Sequence, residues 1–226
     1  MLFKDIWLSK VSNINCFNIK FPFLRRDKLN IKKNILISCK ILKINYLQKK
    51  NNLKFRFVGQ NIIFSKDIDF KKKKFQNKLS LNVSKKKDKK KVINICIKNL
   101  KSSRFDLDKR IPRAIIKKIR FSWISSYFLK RRNKLAYSVV YQKKIVGLLC
   151  IIKKKKNLII DLIAISKNYN GKGFGSYIID DLQSKFPKYK KIIVGTYRQN
   201  RQAVMFYKKC GFEIIKIYNV FHYYEK

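Results

Sequence analysis

The residues best suited to bind an anion are three glycines, Gly171, Gly173 and Gly175, in the stretch NGKGFGSYII. Three of the chain's seven glycines stand in this one stretch. It follows the apolar run LIIDLIAIS and precedes an amphipathic segment, so the glycines are predicted between a strand and a helix. Bare backbone lets amides approach a phosphate, and the helix N-terminus adds partial positive charge. The pattern therefore predicts a phosphate-binding loop.

Two other nucleotide motifs do not fit these glycines. A P-loop requires G-x-x-x-x-G-K-[ST], whereas Lys172 precedes Gly173 and no Ser or Thr follows it directly. A dinucleotide fingerprint requires G-x-G-x-x-G and an acidic residue about 20 positions later. This run is G-x-G-x-G, and the next apolar run leads into Thr196, Tyr197 and Arg198. Both folds are excluded.

The glycine run and a second segment together resemble the GCN5-related N-acetyltransferase (GNAT) family. Residues 170–175 are similar to its acetyl-CoA motif, Q/R-x-x-G-x-G/A, with Asn170 where Gln or Arg is usual. Residues 200–212, NRQAVMFYKKCGF, are similar to its downstream signature, N-x-x-A-x-x-x-Y-x-x-x-G-F. The two stand at the expected separation, with one predicted strand between them.

The resemblance implies that backbone amides of residues 162–165 align the pantetheine arm of acetyl-CoA as an added strand, and that amides of residues 171–176 bind its pyrophosphate. Asn200 would also contact the coenzyme. The residues with an implied coenzyme contact are Leu162, Ile163, Ala164, Ile165, Asn170, Gly171, Lys172, Gly173, Phe174, Gly175, Ser176 and Asn200.

Three residues are candidates for acid–base chemistry. The resemblance places the Tyr207 hydroxyl near the thioester sulfur, where a phenol can protonate the departing thiolate. For the general base, two alternatives stay open. Asp161, on the predicted strand before the glycines, could accept the amine's proton directly or through water. His222 could do so with a pKa near neutral. Each of the three could instead be a packed structural side chain.

A second resemblance concerns the acceptor. The segment SSRFDLDKRIPRAIIKKIRFSWISS, residues 102–126, is similar to the dTDP-fucosamine acetyltransferase type, which acetylates sugar amines on nucleotide carriers. Residues 55–68, FRFVGQNIIFSKDI, carry a weaker similarity, with Gly59 where Asp is usual. The likeness implies a nucleotide sugar as the acceptor, in surface polysaccharide (lipopolysaccharide) biosynthesis. Its implied acceptor residues are Ser103, Arg104 and Phe105, and the Arg104 guanidinium matches phosphate oxygens.

Two other functions remain open at this stage. A protein or ribosomal-protein N-acetyltransferase would share the coenzyme motifs but is usually a shorter, single domain. A non-catalytic module could use the same fold to bind RNA through its basic surface, with affinity that falls steeply as salt rises. Tyr207 and the intact glycine loop favour an enzyme.

The elements around these residues are predicted from hydrophobic periodicity. Strands are expected at 135–141, 145–152, 157–165 and 190–196, and one or two strand segments at 213–224. Helices are expected after Pro112, at 175–185 and at 200–210, the last with Gly211 at C′. The run VINICIKNL, residues 92–100, is predicted as a strand. The fold class is therefore α/β, with a central mixed, splayed sheet flanked by helices.

The first half is predicted as a small mixed N-terminal domain, residues 1–91, before an acetyltransferase domain at 92–226. The run SKKKDKKK, residues 84–91, ends it and is predicted as a solvated loop or linker, because like charges repel and bury little surface.

Composition gives the remaining expectations. The formal net charge is +45, from 57 Lys and Arg against 12 Asp and Glu. Lysine is over-used in loops and apolar runs alike, which is typical of codon drift. Nucleic acid is therefore not expected as a partner. The excess positive charge still attracts anions such as coenzyme A. The five separated cysteines and single histidine predict no metal site and a reducing, cytoplasmic location. No membrane partner is expected, and a homodimer is a guess from the family.

Overall fold

The structure is a computed structural model that describes residues 2–19, 35–41, 55–69, 79–100, 102–129 and 132–225. In these ranges ten strands form one sheet: β1 (Leu2–Lys4), β2 (Asn15–Ile19), β3 (Ile35–Ile41), β4 (Arg56–Asp67), β5 (Leu79–Val83), β6 (Lys134–Tyr141), β7 (Lys144–Lys154), β8 (Asn157–Ile165), β9 (Lys191–Tyr197) and β10 (Glu213–Glu225). Their spatial order is β1-β2-β3-β10-β4-β9-β8-β7-β6-β5. The pairs β2–β3 and β8–β9 are parallel and the other pairs are antiparallel, so the sheet is mixed.

Helices cover both faces of this sheet. They are α1 (Ile6–Ser12), α2 (Lys89–Asn99), α3 (Arg104–Leu107), α4 (Arg113–Ser125), α5 (Phe174–Lys185) and α6 (Arg201–Lys209), with 3₁₀ turns at 86–88, 126–128 and 167–169. Residues of α5 and α6 pack with Leu149 and Ile151 of β7, whereas α2 and α4 pack with Leu148 and Cys150. Alternate residues of a strand point to opposite faces, so the two helix pairs lie on opposite sides.

The elements predicted for the second half are confirmed, with ends shifted by only one or two residues. Strands β6 to β9 and helices α5 and α6 all stand where periodicity places them. Pro112 is the N-cap of α4. Gly211 follows α6 with a φ of 77°, the left-handed conformation expected at C′. The last strand is continuous through residue 225 and carries two register irregularities.

The prediction of a strand at residues 92–100 is wrong, because this run forms most of helix α2. Its β-branched residues favour a strand by propensity, but Val92, Ile93 and Cys96 recur at helical spacing and are buried. The loop predicted at 84–91 is also wrong for most of its length. Residues 86–88 form a 3₁₀ turn and residues 89–91 the first turn of α2, with the lysines on the solvent side.

Strands from both sides of the predicted domain boundary share the sheet. β4, from the N-terminal half, lies between β9 and β10, and β3 pairs with the other edge of β10. The boundary at residue 91 falls inside α2. Because β4 directly joins two strands of the C-terminal half, the N-terminal residues help to build the sheet that carries the site. The division into two domains stays a prediction.

Candidate functional site

The central feature of the site is a gap between two parallel strands. β8 and β9 are paired only as far as Ile160 and Val194, although β8 continues to Ile165 and β9 to Tyr197. Beyond that row, no strand in the described part of the chain lies beside the edge of β8 that faces β9. An open strand edge presents backbone amide and carbonyl groups that can pair with an extended ligand.

A β-bulge in β8 coincides with the start of this gap. Cys150 pairs with Leu162 and Ile151 pairs with Ile160, which leaves Asp161 as the extra residue. The bulge also changes which face the strand buries. Ile160 packs on the side of α5 and α6, whereas Leu162 lies in the cluster on the side of α2 and α4. Asp161 therefore projects from the strand at the point where the sheet opens.

The glycine loop leads from β8 into α5, and two of its glycines require their own conformation. Gly171 and Gly173 have φ angles of 78° and 75°, which are costly for other residues. A Cβ on either would meet no atom within 4 Å, so the space before this backbone is open. In the described residues, no turn or capping hydrogen bond uses the amides of residues 171–176 as donors. These amides and the start of α5 form a surface that is suited to bind an anion.

The third glycine has a packing role. A Cβ on Gly175 would lie 2.6 Å from Cε2 of Phe206, so α5 and α6 approach closely there. Phe174 anchors the other side of the loop, because its buried ring lies 4.9 Å from the Tyr141 ring and 5.6 Å from the Tyr169 ring. Lys172 places its ammonium 5.3 Å from the centre of the Tyr169 ring. The loop is thus held by aromatic contacts while its amides stay open.

Tyr207 lies on α6 with 3% of its surface exposed. Its ring is 5.7 Å from the ring of Phe64 on β4. Phe64 pairs with Val194 of β9, and Val194 pairs with Ile160 of β8 in the last paired row before these two strands separate. Burial raises the pKa of the Tyr207 phenol well above its usual value, so the hydroxyl is protonated at neutral pH. A protonated phenol beside the gap can act as a proton donor.

Asn200 is the N-cap residue of α6. Its side-chain oxygen accepts a hydrogen bond of 3.3 Å from the Ala203 amide. This oxygen therefore has a structural role at the helix start. The predicted coenzyme contact of Asn200 stays a prediction, and its side-chain amide N–H groups are the donors that could make it.

Asp161 is held by two hydrogen-bond donors that sequence reasoning missed. Its Oδ2 accepts from Nε1 of Trp123 at 2.7 Å and from the hydroxyl of Tyr127 at 2.5 Å. Trp123 is in α4, and Tyr127 lies four residues later in the adjoining 3₁₀ turn. A signal for this pair was present in the sequence, because buried Trp and Tyr need polar partners and residues at i and i+4 share a helical face.

His222 lies away from the gap, on β10, which β4 and β9 separate from β8. Its side chain has 0% exposure, and Nδ1 is 3.0 Å from Oδ2 of Asp108. Burial lowers the pKa of His222. The hydrogen bond with Asp108 raises it, but burial is the larger effect. Burial alone would raise the Asp108 pKa, but hydrogen bonds from His222 and Arg110 hold it well below its usual range. The structure thus does not bring Asp161 and His222 together.

The three predicted acceptor residues lie at the start of α3. Ser103 is its N-cap and forms a capping box with Asp106, so its side chain has a structural partner. The Arg104 guanidinium lies 4.7 Å from the centre of the Phe105 ring. Burial raises the pKa of the Tyr197 phenol, at the end of β9, to about 12, and the charge of Arg104 opposes the rise. The ring of Phe105 in turn lies 6.3 Å from the histidine ring of β10.

The sequence model of the acetyltransferase (GNAT) family matches residues 102–212. These residues contain the bulge, the open edge of β8, the glycine loop and Tyr207. Residues 102–212 belong to the GNAT family. The predicted fold class, a mixed sheet flanked by helices, and the prediction of an N-acetyltransferase are confirmed. Acetyl-CoA is the acetyl donor of this family.

Solved structures support the fold beyond the GNAT segment. A conserved protein of unknown function from Staphylococcus epidermidis is 13% identical with a TM-score of 0.64, over 85% of this chain and 74% of that one. A GCN5-related N-acetyltransferase from Sphaerobacter thermophilus is 10% identical with a TM-score of 0.60, over 83% and 59%. One from Kribbella flavida is 8% identical with a TM-score of 0.56, over 83% and 67%. At these identities the likeness concerns the fold.

The comparisons leave the finer predictions open. No curated protein matches the chain. The likeness to the dTDP-fucosamine type, the nucleotide-sugar acceptor and the homodimer stay predictions. None of the helices in the described part of the chain is long and apolar enough to span a membrane.

Proposed function

We propose that the chain transfers an acetyl group from acetyl-CoA to the amine of a nucleotide-linked amino sugar. The observation that carries this proposal is the opening of the sheet between β8 and β9, directly before the glycine loop. An extended thioester arm fits an open strand edge, and a pyrophosphate fits the exposed amides at the start of a helix. The open strand edge and the glycine loop adjoin each other, as the pantetheine arm and the pyrophosphate do in coenzyme A.

The opposite faces of the sheet supply the two proton-transfer groups. Tyr207 packs on the α6 side at the row where the strands separate, whereas Asp161 contacts Trp123 and Tyr127 on the α4 side. We assign Tyr207 as the acid that protonates the departing thiolate and Asp161 as the base that takes the amine's proton. Asp161 is preferred to His222 because it lies on the opened strand itself. The amine then attacks from the α4 side and the thiolate leaves toward α6.

Charge supports an anionic acceptor. A net charge of +45 attracts a nucleoside diphosphate and repels a polyamine or a basic peptide. Locally, the charge of Arg104 acts on the phenol of Tyr197 at the end of β9, and its guanidinium lies over the Phe105 ring. A guanidinium there can pair with the diphosphate of the acceptor, while the sugar amine reaches Asp161.

The test is thiol release from acetyl-CoA by the purified chain with a panel of acceptors. The panel contains nucleotide-linked amino sugars, the same sugars without the nucleotide, basic peptides and spermidine. Turnover that requires the nucleotide is expected. Turnover on peptides or spermidine alone would overturn the acceptor while keeping the acetyltransferase. If no acceptor in the panel supports thiol release and the chain binds RNA with an affinity that falls steeply with salt, the enzymatic proposal is overturned in favour of a binding module.

A further inference from the structure

We propose that Trp123 and Tyr127 are positioning residues that fix the carboxylate of Asp161 and aim its free oxygen at the acceptor amine. This inference rests on the proposed role of Asp161 as the general base. It adds two residues from a helix outside the coenzyme motifs to the catalytic arrangement. It also gives a reason for the bulge, which projects Asp161 from the strand where the sheet opens.

The two donors bind one oxygen of the carboxylate from one side. Trp123 Nε1 and the Tyr127 hydroxyl both donate to Oδ2, at 2.7 and 2.5 Å. The segment that carries them is itself tied, because the Ser126 hydroxyl donates to the Trp123 carbonyl at 2.7 Å. Two donors with rigid rings restrict the carboxylate far more than one flexible donor would. Its orientation is therefore set by α4 and the 3₁₀ turn.

The other oxygen is left open. In the described residues Oδ1 of Asp161 has no hydrogen-bond donor, and it is not among the fully buried polar atoms that lack a partner. It therefore keeps some accessible surface. An oxygen with free lone pairs, on a carboxylate whose rotation is blocked, is suited to take a proton from a bound amine.

The charged and titratable groups around Asp161 leave these two donors as its main stabilisers. Burial and the charge of Asp161 raise the pKa of Tyr127, so it stays a donor. On β7 and α2, burial raises the pKa of the thiols of Cys150 and Cys96, which stay neutral. From β6, Lys134 lies over the Tyr127 ring at 4.9 Å rather than against the carboxylate. The carboxylate is therefore held by neutral hydrogen-bond donors and not by a flexible cationic side chain.

The kinetic test compares the pH profiles of kcat/KM for the acceptor in Tyr127→Phe and Trp123→Phe. Each variant keeps an aromatic ring and removes one donor, so the acidic limb should move to higher pH by about one unit, the worth of a hydrogen bond to a charged group. The rate at neutral pH should fall about tenfold, with KM for acetyl-CoA unchanged. Tyr189→Phe, which removes a hydroxyl near Phe186 instead, is the matched control.

A spectroscopic test is independent of activity. The chain has two tryptophans, so Trp7→Phe, at an exposed position of α1, leaves Trp123 as the only indole reporter. Its fluorescence should titrate with Asp161, and Asp161→Asn should abolish that transition. In this background, Tyr127→Phe should move the midpoint of the fluorescence transition to higher pH, in the same direction as the acidic limb of the kcat/KM profile.

Two outcomes separate the failure of this inference from that of the proposed function. If neither the fluorescence midpoint nor the kinetic limb moves in Tyr127→Phe, the positioning role is overturned. If the fluorescence midpoint moves but the acidic limb of kcat/KM does not, the two donors do hold Asp161 in the way the structure shows. Asp161 is then not the general base. In that case the catalytic part of the inference is overturned together with the base assignment.

Discussion

Tyr207 and Asp161 lie on opposite faces of the sheet at the row where β8 and β9 separate. Their environments differ in the way that acid and base roles require. Burial raises the pKa of the Tyr207 phenol, which stays protonated, whereas two donors bind one oxygen of the Asp161 carboxylate. Environment rather than residue type alone therefore assigns the direction of proton transfer at each position.

The proposed role of Tyr207 as an acid leads to a kinetic prediction. Tyr207→Phe should lower kcat by about 100-fold or more, because the thiolate loses its proton donor. KM for acetyl-CoA and the melting temperature should stay close to wild type, since the ring contacts with Phe64 and Phe212 remain. Steady-state thiol release and thermal unfolding measure the two effects. An unchanged kcat would show that the phenol only packs.

Arg104 should determine affinity for the acceptor rather than for the coenzyme. Arg104→Ala should raise the acceptor KM by about 10- to 100-fold through the loss of charge-assisted hydrogen bonds to the diphosphate. KM for acetyl-CoA should not change. Arg113→Ala, at the exposed start of α4, removes the same charge elsewhere and is the control. If both variants raise the acceptor KM equally, the acceptor responds to the overall electrostatic field of the protein and not to Arg104 itself.

At the scale of elements, the loop between β8 and α5 uses its glycines in two ways. Gly171 and Gly173 turn the chain with positive φ before open space, and Gly175 admits the Phe206 ring of α6. The first pair shapes the surface that faces the ligand. The third couples the anion-binding helix to the helix that carries Tyr207.

These two uses predict different effects of alanine. Gly173→Ala should weaken coenzyme A binding, because its left-handed backbone costs a side chain about 1 kcal/mol and the new methyl occupies the open space. Gly175→Ala should instead lower the free energy of unfolding by about 1–3 kcal/mol through overpacking against Phe206. Calorimetric titration with coenzyme A and urea unfolding separate the effects. Equal losses of affinity and stability in both variants would contradict the division.

At the scale of the whole molecule, the ends of the chain are joined across the sheet. β10 pairs with β3 and β4, and His222 on β10 contacts Asp108 in the loop after α3. The Arg110 side chain donates two hydrogen bonds to Asp108 and one to the His222 carbonyl. This buried cluster ties the N-terminal strands and the α3–α4 segment to the last strand. The geometry gives His222 a structural position.

The cluster predicts loss of stability in mild acid. Burial lowers the pKa of His222 in the folded state, so its stabilising contribution is complete above its unfolded value of about 6.5 and is lost as pH falls below it. The free energy of unfolding should fall between pH 7.5 and 5, by at most about 1.4 kcal/mol per pH unit.

Because His222 is the only histidine, the assignment can be checked directly. In His222→Gln the slope over this pH window should disappear in urea unfolding experiments. A stability that instead rises as pH falls would mean that the protonated imidazole pairs with Asp108. That result would reverse the direction of the His222 pKa shift.

Local sequence patterns were sufficient to predict the elements from β6 to α6, the glycine loop and the helix that carries Tyr207. These features are local: alternation sets a strand, helical spacing sets a helix, and short motifs fix the turn between them. It failed at α2, where β-branched residues favoured a strand and packing against β7 and β8 selected a helix. Burial of one face overrode intrinsic propensity there.

Only the tertiary structure decided which distant residues meet. It placed β4 between β9 and β10, brought Trp123 and Tyr127 onto Asp161, and buried His222 beside Asp108. Each of these contacts joins residues at least 34 positions apart in the chain. Strand order and bulge position determine such contacts, and both arise from the cooperative packing of the whole sheet rather than from any single segment.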